Sequence, residues 1–234
     1  MEIRVAKTAG FCFGVNRAVE LTYGLLAEGH RVATLGPLIH NPQAVEDMQR
    51  KGAQVVDTVQ DVPAGYEVVI RSHGVPRSVY DELTARGIRY HDATCPFVQK
   101  IQRIAAEAEK AGAVLLVAGD QTHPEVQGIV GHTRGEVFVF ADLAELKAWK
   151  GPSDPQKPLF AVAQTTFQVT KWQESSEFLK KAYTNARIFD TICNATWARQ
   201  QEAEDLSQKC DIIVVIGGHH SSNTQKLVQV AAKH

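Results

Sequence analysis

Three stretches of the chain read alike. Residues 10–40 are GFCFGVNRAVELTYGLLAEGHRVATLGPLIH, residues 93–123 are ATCPFVQKIQRIAAEAEKAGAVLLVAGDQTH, and residues 191–220 are TICNATWARQQEAEDLSQKCDIIVVIGGHH. Each opens on a cysteine, runs through a helix-prone segment and enters a short β-rich run ending in glycine. A polar loop with a histidine follows. Val15, Ala18, Val19, Thr22, Leu25 and Leu26 recur at spacings of three and four after Cys12, the period of a helix with one apolar face. After Cys95 comes Pro96, suited to a first helical turn, then Ile101, Ile104, Ala105 and Ala108. The offset is 28 residues from Cys12 to His40, 28 from Cys95 to His123 and 27 from Cys193 to His220. That regularity marks an internal repeat.

A second strand-and-loop unit falls inside each of the first two repeats, EVVIRSHGVP at 67–76 and LFAVAQTTFQV at 159–169. Strands alternating with helices imply parallel βαβ units. The expected fold class is α/β: three small lobes with parallel sheets, in pseudo-threefold arrangement around a central site. The lobes are expected at 13–95, at 96–193, and at 194–234 with 1–12, where Glu2–Ala6 joins the strand at 211–217. The third repeat has no second unit before His234, so the repeat predicts a third lobe missing about 40–60 residues.

Composition narrows the function. The chain has 234 residues, is 44% hydrophobic and 22% charged, and carries a net charge of −1. That balance gives no nucleic-acid or membrane-surface footprint. The first residues lack the pattern of a secretory signal, and runs such as Ile212–Ile216 are too short to span a bilayer. The expected location is the cytoplasm, where the four cysteines stay reduced.

Cys12, Cys95 and Cys193 sit at loop-to-helix junctions, where a thiolate gains from the helix dipole and free N–H groups. Three equivalent thiols in a threefold repeat suit an iron–sulfur cluster with one open iron. Another metal, or three unrelated core cysteines, also satisfies the spacing; no CxxC zinc signature is present. Cys210 falls outside the repeat and reads as structural. His40, His73 and His123, with Thr165, Ser221, Ser222 and Asn223, form a set of donors at strand ends that suits a diphosphate. A three-histidine metal site is the competing reading. Arg71, Arg77 and Lys100 either add positive charge or lie on the surface. Glu125 is a candidate proton donor or a first-turn carboxylate favouring the helix dipole.

GFCFGVNRAV, GPLIHNP, RSHGVP, DATCP, THPEVQG, QTT, CNAT with a following RQ, and SSN run in order from Gly10 to Asn223. Together they resemble the motifs of the IspH/LytB family of 4-hydroxy-3-methylbut-2-enyl diphosphate reductases. The resemblance implies a [4Fe-4S] cluster held by Cys12, Cys95 and Cys193. It implies that His40, His73, His123, Ser221, Ser222 and Asn223 hold the diphosphate, and that Glu125 with Thr165 relays protons, next to His123. The implied reaction removes the substrate hydroxyl as water, with two electrons and two protons, giving isopentenyl and dimethylallyl diphosphate. Ferredoxin or flavodoxin is the implied electron donor. The family's later serine-bearing loop is not in this sequence, so low turnover is expected. Two alternatives are a quinolinate-synthase-like enzyme, which needs no external electrons, and a non-catalytic iron–sulfur sensor.

Overall fold

The computed structural model describes residues 2–232. Eight parallel strands form two four-stranded sheets. The first sheet holds β1 (Val32–Leu35), β2 (Gln54–Val56), β3 (Glu67–Ile70) and β4 (Tyr90–Asp92), in the order β2-β1-β3-β4. The second holds β5 (Val114–Ala118), β6 (Val137–Phe140), β7 (Leu159–Ala163) and β8 (Ala186–Ile188), in the equivalent order β6-β5-β7-β8. Central pairs register Val32 with Glu67, and Val114 with Leu159. The repeat read from the cysteines is therefore a repeat of sheet topology.

The central strands β1, β3, β5 and β7 are largely apolar on both faces because helices cover both faces of a parallel sheet. In β1, Val32 faces one cluster, with Val69 and with Ala18 and Leu25 of α1 (Phe13–Ala27) and Met48 of α2 (Pro42–Arg50). Ala33 and Leu35 face the opposite cluster, with Val68, Ile70 and Leu83 of α3 (Arg77–Ala85). In the second sheet, Val114, Leu116, Ala118, Leu159, Ala161 and Ala163 share a core with Leu146 of α6 (Leu143–Ala148) and Trp172 and Leu179 of α7 (Val169–Ala182). The remaining helices are α4 (Pro96–Lys110), α5 (Pro124–Val130), α8 (Asn194–Ser207) and α9 (Ser222–Ala231).

The described residues form two compact units. One contains Cys12–Glu107 and Thr122–Arg134, and so the first sheet; the other contains the second sheet and the remaining described residues. Helix α5 follows β5 of the second sheet in sequence yet belongs to the first unit. It is held there by the Arg77 N–H, which donates to the Gly131 carbonyl at 3.2 Å, and by Gly131 itself, where a Cβ would meet Pro76 at 2.5 Å.

The third lobe differs from expectation. Residues 2–6 and 211–217 form no strand. Their alternating apolar side chains stay in solvent, with Ile3 77%, Ile212 81% and Ile216 92% exposed. The strand pattern is present, but a lone segment has no ladder partner among the described residues to satisfy its backbone. Positions 1, 233 and 234 of that expected lobe lie outside the described residues.

Candidate functional site

In a parallel sheet, ligands bind beyond the carboxyl ends of the strands, at the point where the strand order reverses. In the first unit that point lies between β1 and β3, and the loops leaving these strands carry His40 and His73. His123 arrives on α5 as its N-cap, with Pro124 opening the helix. The three rings meet, with centroids 4.5 Å apart for His40 and His73, 5.6 Å for His40 and His123, and 5.5 Å for His73 and His123.

Such a triad can bind a metal or an anion, and its potential ligand atoms all lie within 4.8 Å of one another. The tautomer separates these readings. The Glu125 backbone N–H donates to His123 Nδ1 at 3.1 Å, so a neutral His123 carries its proton on Nε2. A metal needs that lone pair free; an anion needs that N–H. His123 is therefore set to donate. Burial and the neighbouring His40, His123 and Arg71 hold His73 well below the ordinary histidine range, and its Nδ1 has no hydrogen-bond partner among the described residues. A neutral imidazole with spare hydrogen-bonding capacity, beside the guanidinium of Arg71, is suited to an arriving anion.

Arg71 serves the loops directly. It is largely buried, its Nε donates to the Gly74 carbonyl at 3.4 Å, and desolvation lowers its pKa. Gly74 adopts φ +72°, and a Cβ there would sit 2.3 Å from Gln102 Nε2, so only glycine fits the turn after His73. Glu125 lies in the first turn of α5 and is 2% exposed. Arg77 and Lys100 are exposed, so the surface placement describes both.

Cys12 and Cys95 belong to this same unit. Cys12 is the N-cap of α1 and makes no side-chain capping bond, while Cys95 directly precedes α4. A Cβ on Gly14 would lie 2.6 Å from Cys95 Sγ, so the Cys95 side chain packs against the first turn of the helix that Cys12 caps. The Cys95 N–H donates to the Ser72 carbonyl at 3.0 Å, tying the thiol's backbone to the residue before His73.

The second unit carries the rest. Cys193 caps α8, again without a side-chain capping bond, and its N–H donates to the Thr165 carbonyl at 3.1 Å. Thr165 is buried. Ser221 caps α9, its hydroxyl accepting from the Thr224 N–H at 3.3 Å. Ser222 Oγ accepts from Thr166 Oγ1 at 2.9 Å, which links the QTT loop after β7 to the SSN segment. Ser221, Ser222 and Asn223 are half-buried. His220, the repeat mate of His40 and His123, is exposed. Cys210 lies beyond the end of α8 in a segment without regular structure.

The family model described as LytB protein matches residues 3–234. The chain is a member of the LytB family. The 4-hydroxy-3-methylbut-2-enyl diphosphate reductase of Caldanaerobacter subterraneus subsp. tengcongensis is 40% identical over 242 residues, taking in 100% of this chain and 81% of its own. The reductase of Syntrophotalea carbinolica is 41% identical, over 98% of this chain and 81% of its own. A solved structure of (E)-4-hydroxy-3-methyl-but-2-enyl diphosphate reductase, described as the terminal enzyme of the non-mevalonate pathway, superimposes with a TM-score of 0.74 at 34% identity, covering 99% of this chain and 82% of that one. The corresponding reductase structure from Plasmodium falciparum gives a TM-score of 0.88 at 26% identity, covering 96% and 71%.

LytB proteins are iron–sulfur dependent, and the thiols here suit such a group. Cys12, Cys95 and Cys193 are in no disulfide, each sits at the start of a helix, and Gly14 leaves the space that Cys95 occupies. Sequence reasoning gave no role to Gly14, Arg17, Gln102 or Thr166. The first two lie within GFCFGVNRAV, and their proximity to the cysteine motif was the available signal. No helix of the described residues is long and apolar enough to cross a membrane.

Proposed function

We propose that this protein reduces (E)-4-hydroxy-3-methylbut-2-enyl diphosphate, taking up two electrons and two protons. It releases water and forms isopentenyl or dimethylallyl diphosphate. The observation that carries the reading is the histidine triad in which His123 Nδ1 accepts from the Glu125 N–H, in a chain whose relatives at 40% identity are reductases of this diphosphate.

His40, His73 and His123 donate to the diphosphate, and Ser221, Ser222 and Asn223 add hydroxyl and amide donors. Fixing the anion fixes the hydroxyl end of the substrate, converting a bimolecular encounter into an oriented one. Cys12, Cys95 and Cys193 would hold a [4Fe-4S] cluster. That group would supply Lewis acidity for the hydroxyl oxygen, and electrons would come one at a time from ferredoxin or flavodoxin in the cytoplasm. Hydroxide is a poor leaving group and needs a proton as the C–O bond breaks. Glu125 supplies it, and Thr165 takes part with Glu125 in relaying protons.

The test is anaerobic turnover of the hydroxylated diphosphate with a reduced one-electron donor. Both isomeric diphosphates appear if the reading holds. Consumption of substrate without external electrons sinks it in favour of a redox-neutral reaction of the quinolinate-synthase kind.

A further inference from the structure

Arg17 carries no charge partner in the structure: it forms no ion pair among the described residues. Its guanidinium is instead committed to two backbone carbonyls. Nη1 donates to the Thr94 carbonyl at 3.0 Å, and Nη2 donates to the Asp92 carbonyl at 3.1 Å. Thr94 is the residue before Cys95, and Arg17 stands on the helix that Cys12 caps. One side chain thus bridges the helix that presents one thiol and the loop that presents the other.

The loop it grips is itself shaped. The Asp92 carboxylate accepts the Thr94 N–H at 2.9 Å, the Tyr80 hydroxyl at 3.4 Å and Gln99 Nε2 at 3.3 Å. These bonds turn the chain sharply after β4, so that the carbonyls of residues 92 and 94 both face Arg17. On the other side of the same loop, the Cys95 N–H is bound to Ser72. Gly14, one turn below Arg17 on α1, gives way to the Cys95 side chain. A planar fork of donors suits two carbonyls at once, whereas an ammonium is a point charge without that geometry.

We propose that Arg17 is a positioning residue that fixes the separation of the Cys12 and Cys95 thiols. Its bearing on the cofactor rests on these two cysteines being cluster ligands; its effect on the thiol pair does not. Arg17 touches neither thiol and acts through the backbone of the Asp92–Cys95 loop.

The test compares wild type with Arg17→Met and Arg17→Lys, with Arg103→Met, on the exposed side of α4, as control. In cluster-free full-length protein, well below the melting temperature, a short bifunctional thiol reagent bridges Cys12 to Cys95, and peptide mapping gives the rate. In reconstituted protein, a chelator strips iron, and the decay of the visible absorbance is followed. Arg17→Met slows bridging and speeds iron loss by roughly tenfold each, on the scale expected when a reacting pair is misplaced by a fraction of an ångström. Arg17→Lys lies between Arg17→Met and wild type, and Arg103→Met matches wild type. Unchanged bridging in a folded Arg17→Met protein overturns the proposal; if that variant fails to fold, unchanged bridging in Arg17→Lys does so. Altered bridging in a protein that binds no iron or sulfide upholds the positioning role and instead removes the cluster reading.

Discussion

The two units hold their candidate site residues in different ways. In the first, His40, His73, His123, Glu125, Cys12 and Cys95 stand at the ends of regular strands and helices, and His123 and Glu125 are only 8% and 2% exposed. Positions are fixed by backbone bonds such as Glu125 N–H to His123 Nδ1 and Cys95 N–H to the Ser72 carbonyl. In the second, Cys193 and Thr165 are fixed in the same way. Ser221, Ser222 and Asn223, however, follow residues 211–217, an apolar segment with no strand partner among the described residues. The difference shows how a βα frame preorganises a site: loops inherit the order of the strands that precede them, and α9 begins after a segment that has formed none.

Substitutions probe this contrast. Glu125→Gln, in the ordered unit, removes a proton and leaves the shape; turnover falls by about 10²–10⁴-fold, while iron content and visible absorbance are unchanged. A Glu125→Gln protein with wild-type turnover would remove Glu125 from the chemistry. His123→Phe keeps an aromatic ring in the triad and deletes its donor. Loss of one hydrogen bond to a charged group costs about 1.5–3 kcal/mol, so affinity for inorganic pyrophosphate, measured by calorimetry, falls roughly 10–100-fold. Ser222→Ala, in the second unit, is expected to weaken the same affinity by less than about tenfold, because a single neutral hydrogen bond contributes about 0.5–1.5 kcal/mol. Equal losses at His123 and Ser222 would erase the distinction between the two units.

The triad also predicts a pH dependence. His73 is held below its ordinary pKa of 6.5 in the folded state, so the unfolded chain binds more protons as pH falls below that value. Folding stability is therefore unaffected by His73 above about pH 6.5 and declines below it. His73→Asn flattens that decline in urea melts at pH 7.5 and 5.5. An anion in the triad favours the protonated ring, so pyrophosphate binding near pH 6 takes up protons, visible as a buffer-dependent calorimetric enthalpy.

The smallest expected effect is at Gln102. This buried side chain contacts Gly74 and Gly128, and its Nε2 has no hydrogen-bond partner among the described residues. Replacing an unsatisfied polar group with an apolar one of similar shape is nearly neutral or stabilising. Gln102→Met therefore melts at or slightly above the wild-type temperature; a marked drop would mean that the amide supports the turn after His73.

Much of this architecture was legible because the chemistry repeats. The helices after Cys12, Cys95 and Cys193 and the four central strands follow from apolar period and turn residues, and they appear as α1, α4, α8, β1, β3, β5 and β7. The outer strands β2, β4, β6 and β8 are only partly buried, and β2, β4 and β8 lack the continuous apolar run that marks the central strands. The placement of α5 was not legible either. Its sequence follows β5, but the contacts that seat it, Gly131 on Pro76 and Gly128 against Gly74, join residues more than fifty positions apart. The triad depends on that placement. The segment 211–217 reads as a strand because its composition is that of one, and composition does not supply a partner.

Cys12, Cys95 and Cys193, three thiols at helix starts, are proposed to hold an iron–sulfur cluster. Anaerobic reconstitution followed by iron, zinc and acid-labile sulfide analysis decides whether they do. About four iron and four sulfide per chain are expected for a [4Fe-4S] group, falling sharply in Cys12→Ser, Cys95→Ser and Cys193→Ser but not in Cys210→Ser. Zinc without sulfide, or iron and sulfide retained in all of these variants, would contradict it.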